Sequence, residues 1–139
     1  MPRIENVSYA DILKGNYQND PLKSLLIQIV DPYMDFPSPP QWFTQHLRFR
    51  FMDLSDPGED DINLSNMLNQ TDADLIANVL KVCLEGDLNV TVHCVAGLSR
   101  SGAVAEVGEI MGFEYIGRTK IPNVHVKSLL LKELGLSYD

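Results

Sequence analysis

The chain has 139 residues, of which 45% are hydrophobic, and a formal net charge of -8; this suits one domain, residues 1–139, with a core of its own rather than two domains. The acidic balance excludes a broad nucleic-acid-binding surface, which needs clustered Lys and Arg to displace counterions. No apolar run approaches the ~18 residues of a membrane span, and the opening MPRIENVSYADILKG lacks the charged-then-apolar layout of a secretory leader, so the expected setting is the cytoplasm, with no membrane partner and with Cys83 and Cys94 as free thiols.

In chain order, Ser8 is placed to cap a short helix from Tyr9 to Lys14 that stops at Gly15. Leu25 to Val30 (LLIQIV) reads as a buried strand ended by Asp31-Pro32. Pro37, Pro39 and Pro40 make the following stretch a surface loop, with Trp42 as a candidate anchor against the core. His46 to Met52 alternates apolar and polar residues, the period of a strand with one face in the core. The acidic, Pro-Gly-containing run from Asp53 to Asn63 is loop chemistry, and its Glu59-Asp60-Asp61 cluster reads first as a solvated face. Thr71 to Glu85 is expected to be a helix capped by Thr71, with Leu75, Ile76, Val79, Leu80 and Cys83 on one face. Asn89 to His93 reads as a strand, Ser101 to Met111 as a helix of small residues able to approach a sheet closely, and Val124 to Leu134 as a last helix. Strands alternating with helices imply an α/β fold with a largely parallel sheet flanked by helices.

The chemistry concentrates in His93-Cys94-Val95-Ala96-Gly97-Leu98-Ser99-Arg100-Ser101, between the third of these strands and the small-residue helix. A loop leading from a strand into a helix N-terminus can curl its N–H groups into a nest for a tetrahedral dianion. Val95, Ala96, Gly97, Leu98, Ser99 and Arg100 are thus candidate phosphate-binding residues. Cys94 sits in the same field, which favours its thiolate over a free thiol of pKa about 8.5. Gly97 permits a positive φ, Arg100 offers a planar fork to two phosphoryl oxygens, and Ser101 can donate to the sulfur.

This segment resembles the signature of the cysteine-based protein tyrosine and dual-specificity phosphatases, and the Arg118-Thr119-Lys120-Ile121-Pro122-Asn123 stretch is similar to the Pro-Asn segment before the last helix of the dual-specificity group. The resemblance implies a phosphate loop between a strand and a helix in a tyrosine-phosphatase-like fold, with Cys94 as nucleophile, Arg100 as clamp and no cofactor or metal. It also makes His93 a structural brace and Asn123 either a brace for the loop or, on the plainer reading, a helix cap. His46 and His125 have no ligand spacing. The family's general acid is an upstream loop Asp; Asp53, directly after its strand, is the first candidate, Asp56 the second, and Asp60 and Asp61 remain open. Cys83 is either core filler or a reversible disulfide partner of Cys94. The implied partner is a phosphorylated protein or peptide, phosphotyrosine foremost. Lipid or RNA 5′-phosphates, a phosphopeptide-binding pseudophosphatase, and a rhodanese or arsenate reductase are the rival readings.

Overall fold

The computed structural model describes residues 1–54 and 65–136. Five strands, β1 (Arg3–Ser8), β2 (Ser24–Val30), β3 (Gln45–Arg50), β4 (Asn89–Cys94) and β5 (Glu114–Gly117), form a sheet in the order β3-β2-β4-β1-β5. All four neighbouring pairs are parallel. Accompanying them are the α-helices α1 (Tyr9–Lys14), α2 (Gln70–Glu85), α3 (Arg100–Met111) and α4 (Val124–Glu133), and a 3₁₀ turn at Pro21–Lys23.

The strand pleat divides the apolar residues between two layers. On one face Leu25, Ile27 and Ile29 of β2, Phe49 of β3, and Val90 and Val92 of β4 pack with Ile76, Leu80, Val104, Val107 and Leu130 of α2, α3 and α4. On the other, Leu26 and Val7 pack with Ile12 of α1 and with Phe43. Burial on both faces explains why β2 is apolar on successive residues rather than alternating, with Gln28 the one polar residue inside the run from Leu25 to Val30. On β3, Phe49 is buried while Arg48 and Arg50 face outward, as the alternation predicts. The small residues of α3 do bring helix and sheet together: a Cβ on Gly108 would lie 2.6 Å from Ile4 Cδ1.

The structure departs from the sequence reading in particular places. Strands β1 and β5 were not expected. β1 buries Glu5, Asn6 and Ser8, which conceal the apolar pattern that marks a core strand. These groups are satisfied internally; Glu5, for example, accepts from the N–H groups of Gln18 and Asn19. Helix α2 is capped by Asn69, whose side chain accepts from Asp72 N, rather than by Thr71. Its buried face runs through Ala73, Ile76, Ala77, Leu80 and Cys83, leaving Leu75 44% exposed. Trp42 anchors nothing, being 84% exposed, and Phe43 beside it enters the core instead. Ser8 caps α1 as expected, in a reciprocal box with Asp11.

Parallel strands direct their carboxyl ends to one edge, where open α/β sheets place their sites. That edge receives Tyr9 after β1, Asp31 after β2, Asp53 after β3 and Cys94 at the end of β4. Because Leu80 is fully buried in the main core and Leu75 is not, Leu80→Ala should cost about 2–5 kcal/mol and Leu75→Ala no more than about 0.5 kcal/mol. Urea denaturation of the two variants tests the corrected helix face.

Candidate active site

Central strand β4 delivers Cys94 to the carboxyl edge, and α3 starts six residues later at Arg100. The loop between them is held by its carbonyls. Val95 O accepts from Tyr9 N (3.1 Å), Gly97 O from Asn6 Nδ2 (2.9 Å), Leu98 O from Ile121 N (2.9 Å) and Ser99 O from Asn123 N (2.9 Å). In planar trans peptides the N–H group following each carbonyl points the opposite way. Tying these carbonyls to the surroundings therefore turns the N–H groups of Ala96, Leu98, Ser99 and Arg100 inward, the arrangement of an anion nest. Gly97 makes the bend at φ 72°, where a Cβ would also meet Val7 carbonyl atoms at 2.8 Å.

Cys94 lies at the floor, 2% exposed. Burial pushes its thiol up, but the Ser101 hydroxyl at 3.1 Å, the backbone N–H groups of Ser101 and Gly97, and the Arg100 charge together outweigh that and bring it below the ordinary thiol range. His93 is fully buried, and its pKa falls to about 4, first because burial disfavours the imidazolium and also because Arg100 is near; a bond with the Cys94 carbonyl opposes the shift. Neutral at pH 7, His93 directs Nδ1 to Cys94 O at 3.1 Å. A carbonyl only accepts, so Nδ1 carries the proton. The ring supports the Cys94 backbone from behind.

Arg100 is 4% exposed. Its Nη1 donates to Asp31 Oδ1 (2.8 Å) and to Phe51 O (2.6 Å), while its buried Nε has no partner among the described residues. The fork is thus fixed from behind, and a donor remains to be satisfied. Asp31 was missed in the sequence, where it counted only as the end of β2. Its signal is an acid at the carboxyl end of a buried parallel strand.

Asp53 faces the same pocket: its Oδ1 accepts from Asn123 Nδ2 (2.6 Å) and from the Ser99 hydroxyl (2.8 Å). Asn123 caps α4, its Oδ1 accepting from Val126 N (3.0 Å); the loop is met by its backbone N–H, at Ser99 O, whereas its side-chain Nδ2 donates to Asp53 rather than to the loop. Asp56, Glu59, Asp60 and Asp61 lie outside the described residues. Asp53, Cys94, Val95, Ala96, Leu98, Ser99, Arg100 and Ile121 line a cavity of about 270 Å³.

Cys83 is not brought to the site. Its carbonyl accepts from Leu88 N just before β4 begins, whereas Cys94 ends that strand. At about 3.3 Å per residue, β4 separates the two ends by roughly 16 Å, far beyond the ~7 Å limit for a disulfide. Cys83 belongs to the core.

No protein-family model matches the chain, and no curated protein sequence does. Among solved structures, OH1 from the Orf virus, described as a tyrosine phosphatase with distinct structural features and triple substrate specificity, superposes with a TM-score of 0.50 at 18% identity, over 95% of this chain and 82% of its own. The chain therefore has the α/β fold of a protein tyrosine phosphatase, as its phosphate-loop signature implies.

His93 generates a pH dependence of stability. Its folded pKa of about 4 lies below the ordinary 6.5, so between these values the unfolded chain binds the proton first and stability falls as pH falls. The fall from this one group should approach about 3 kcal/mol by pH 4. Urea midpoints at pH 7.5 and 4.5 should show His93→Gln losing less stability over the interval than wild type; equal losses would show that the ring is not held neutral.

Proposed function

We propose that this protein is a cysteine-dependent phosphatase of the tyrosine and dual-specificity family, which hydrolyses phosphomonoesters, phosphotyrosine in proteins foremost, through a phosphocysteine intermediate. The observation that carries the reading is the pairing of a buried Cys94, its thiol drawn toward thiolate, with an Arg100 fixed through Nη1 and retaining a buried Nε that has no partner among the described residues. Both lie in one cavity under inward-facing loop amides.

In the first step Cys94 Sγ attacks phosphorus, the ester P–O bond breaks, and the departing oxygen takes a proton from Asp53. The loop N–H groups and Arg100 hold the three remaining oxygens, whose charge they offset most fully as the phosphoryl group flattens. In the second step water attacks phosphorus and gives a proton to the Asp53 carboxylate. The P–S bond breaks toward sulfur, where the Ser101 hydroxyl receives the developing thiolate. The sum is ester plus water giving alcohol plus phosphate.

Val95, Leu98 and Ile121 form an exposed apolar rim, and no residue of the loop before Arg100 is charged. Such a rim favours an aromatic ring on the leaving oxygen and offers nothing to additional phosphates. The same rim accepts the apolar part of a lipid phosphate, so a substrate panel should include phosphotyrosine, phosphoserine and phosphothreonine peptides together with a phospholipid monoester. Fastest turnover is expected on phosphotyrosine; a preference for the lipid would move the assignment to that class. The cytoplasm, where thiols stay reduced, is the compartment proposed.

Wild type should hydrolyse an aryl phosphate, whereas Cys94→Ser should bind phosphate without turnover, because the hydroxyl is not ionised. Turnover by that variant would falsify the nucleophile. Arg100→Lys should lose more than about tenfold, since an ammonium lacks the planar fork.

Leaving groups test the acid. Tyrosine phenolate, of pKa about 10, needs the proton, while an activated phenolate departs unaided. Single-turnover phosphoenzyme formation in Asp53→Asn should therefore slow far more on phosphotyrosine than on an activated aryl phosphate. If the two substrates suffer equally, Asp53 positions the loop and the acid is another residue, with Asp56 the next to replace.

A further inference from the structure

Asn6 lies in β1, fully buried, at a position where a parallel strand ordinarily carries an apolar side chain. Its orientation follows from its partners. One end of the amide meets the carbonyl oxygens of Gly97 (2.9 Å) and Arg118 (3.5 Å), which can only accept, so that end is Nδ2. The other end, Oδ1, therefore faces the Ser101 hydroxyl, 2.6 Å away. The same hydroxyl is 3.1 Å from Cys94 Sγ. A hydroxyl has one proton to donate, and Ser101 is fully buried. Two acceptors thus converge on one donor.

We propose that Asn6 is a positioning residue that acts through Ser101: its Oδ1 competes with Cys94 Sγ for the single hydroxyl proton and yields it to the sulfur when negative charge develops there. This rests on the phosphocysteine reading. While sulfur is bonded to phosphorus it carries no charge and accepts weakly, so the Ser101 O–H bonds to Asn6. As water attacks and the P–S bond breaks, the bond's electron pair goes to sulfur, and the O–H turns about Cβ–Oγ to donate to the thiolate. No proton changes its covalent partner in this switch; the proton lost by water goes to Asp53. Asn6 holds Oγ while it accepts the proton and opposes the thiolate by the strength of the bond it gives up. An aspartate could not replace it, because the Gly97 carbonyl needs a donor.

Asn6 also anchors the loop through Gly97, so the test must separate the two contacts. The pH midpoint of Cys94 alkylation by iodoacetamide, and the rate of phosphocysteine breakdown after rapid mixing with an aryl phosphate, would be measured in wild type, Asn6→Ala, Ser101→Ala and the double variant. Competition for the proton predicts that removing Asn6 favours the thiolate by about threefold more when Ser101 is present than when it is absent, with breakdown accelerated by a similar factor. The same effect in both backgrounds would overturn the proposal and leave Asn6 as a loop anchor.

Should the Asn6 variants not fold, the Asn6 side-chain carbonyl resonance still decides. In wild type it should titrate with Cys94, and in Ser101→Ala it should not. A flat resonance in wild type, or an equal titration in both proteins, sinks the idea. If wild type forms no phosphocysteine, the phosphatase reading fails, while the alkylation coupling continues to report on Asn6.

Discussion

The carbonyl groups of Val95, Gly97, Leu98 and Ser99 accept hydrogen bonds from Tyr9, Asn6, Ile121 and Asn123, and that anchoring constrains the rest of the site. Each donor belongs to a different part of the chain: the start of α1, the middle of β1, the segment after β5, and the cap of α4. A peptide group cannot turn its carbonyl outward without turning the next N–H inward. The inward turn of the loop N–H groups is therefore a consequence of how the surrounding elements grip the loop. Packing of the sheet and helices brings those four donors to one place.

The same anchoring supports a buried cation and draws the buried Cys94 thiol toward its charged form. Isolated charges in such surroundings cost several kcal/mol each. Arg100 meets that cost through the Asp31 carboxylate and the Phe51 carbonyl. Cys94 meets it through the Ser101 hydroxyl and the two N–H groups aimed at its sulfur. His93 has no comparable compensation and stays neutral, with Nε2 lacking a partner among the described residues. One buried environment thus keeps His93 neutral yet draws Cys94 toward its charged form, because only the sulfur receives donors that outweigh its burial.

Asp53 and Asn123 show how the rim is tied to the floor. Asn123 touches α4, the Ser99 carbonyl and the Asp53 carboxylate at once, so the position of the candidate acid depends on the helix that its neighbour caps. Ser99 completes the link with a hydroxyl bond to the same oxygen. The loop, Asp53 and the last helix form one hydrogen-bonded unit.

The amino-acid sequence determined those elements whose information is local. The apolar run of β2, the alternation of β3, the Ser8 box and Gly15 stop of α1, and the spacing of Cys94, Gly97, Arg100 and Ser101 each rest on residues close together in the chain, where periodicity and capping act directly. Strand β1 stayed hidden because its buried Glu5 and Asn6 are satisfied by residues elsewhere in the fold, and a polar residue with a distant partner looks in sequence like a surface residue. Asp31 as the second anchor of Arg100, 69 residues away, Asn6 as the partner of Ser101, 95 residues away, and the separation of Cys83 from Cys94 were decided only by the tertiary structure. These depend on which strand ends meet at the carboxyl edge, and the sheet order β3-β2-β4-β1-β5 is a property of the whole chain's packing that no local pattern encodes.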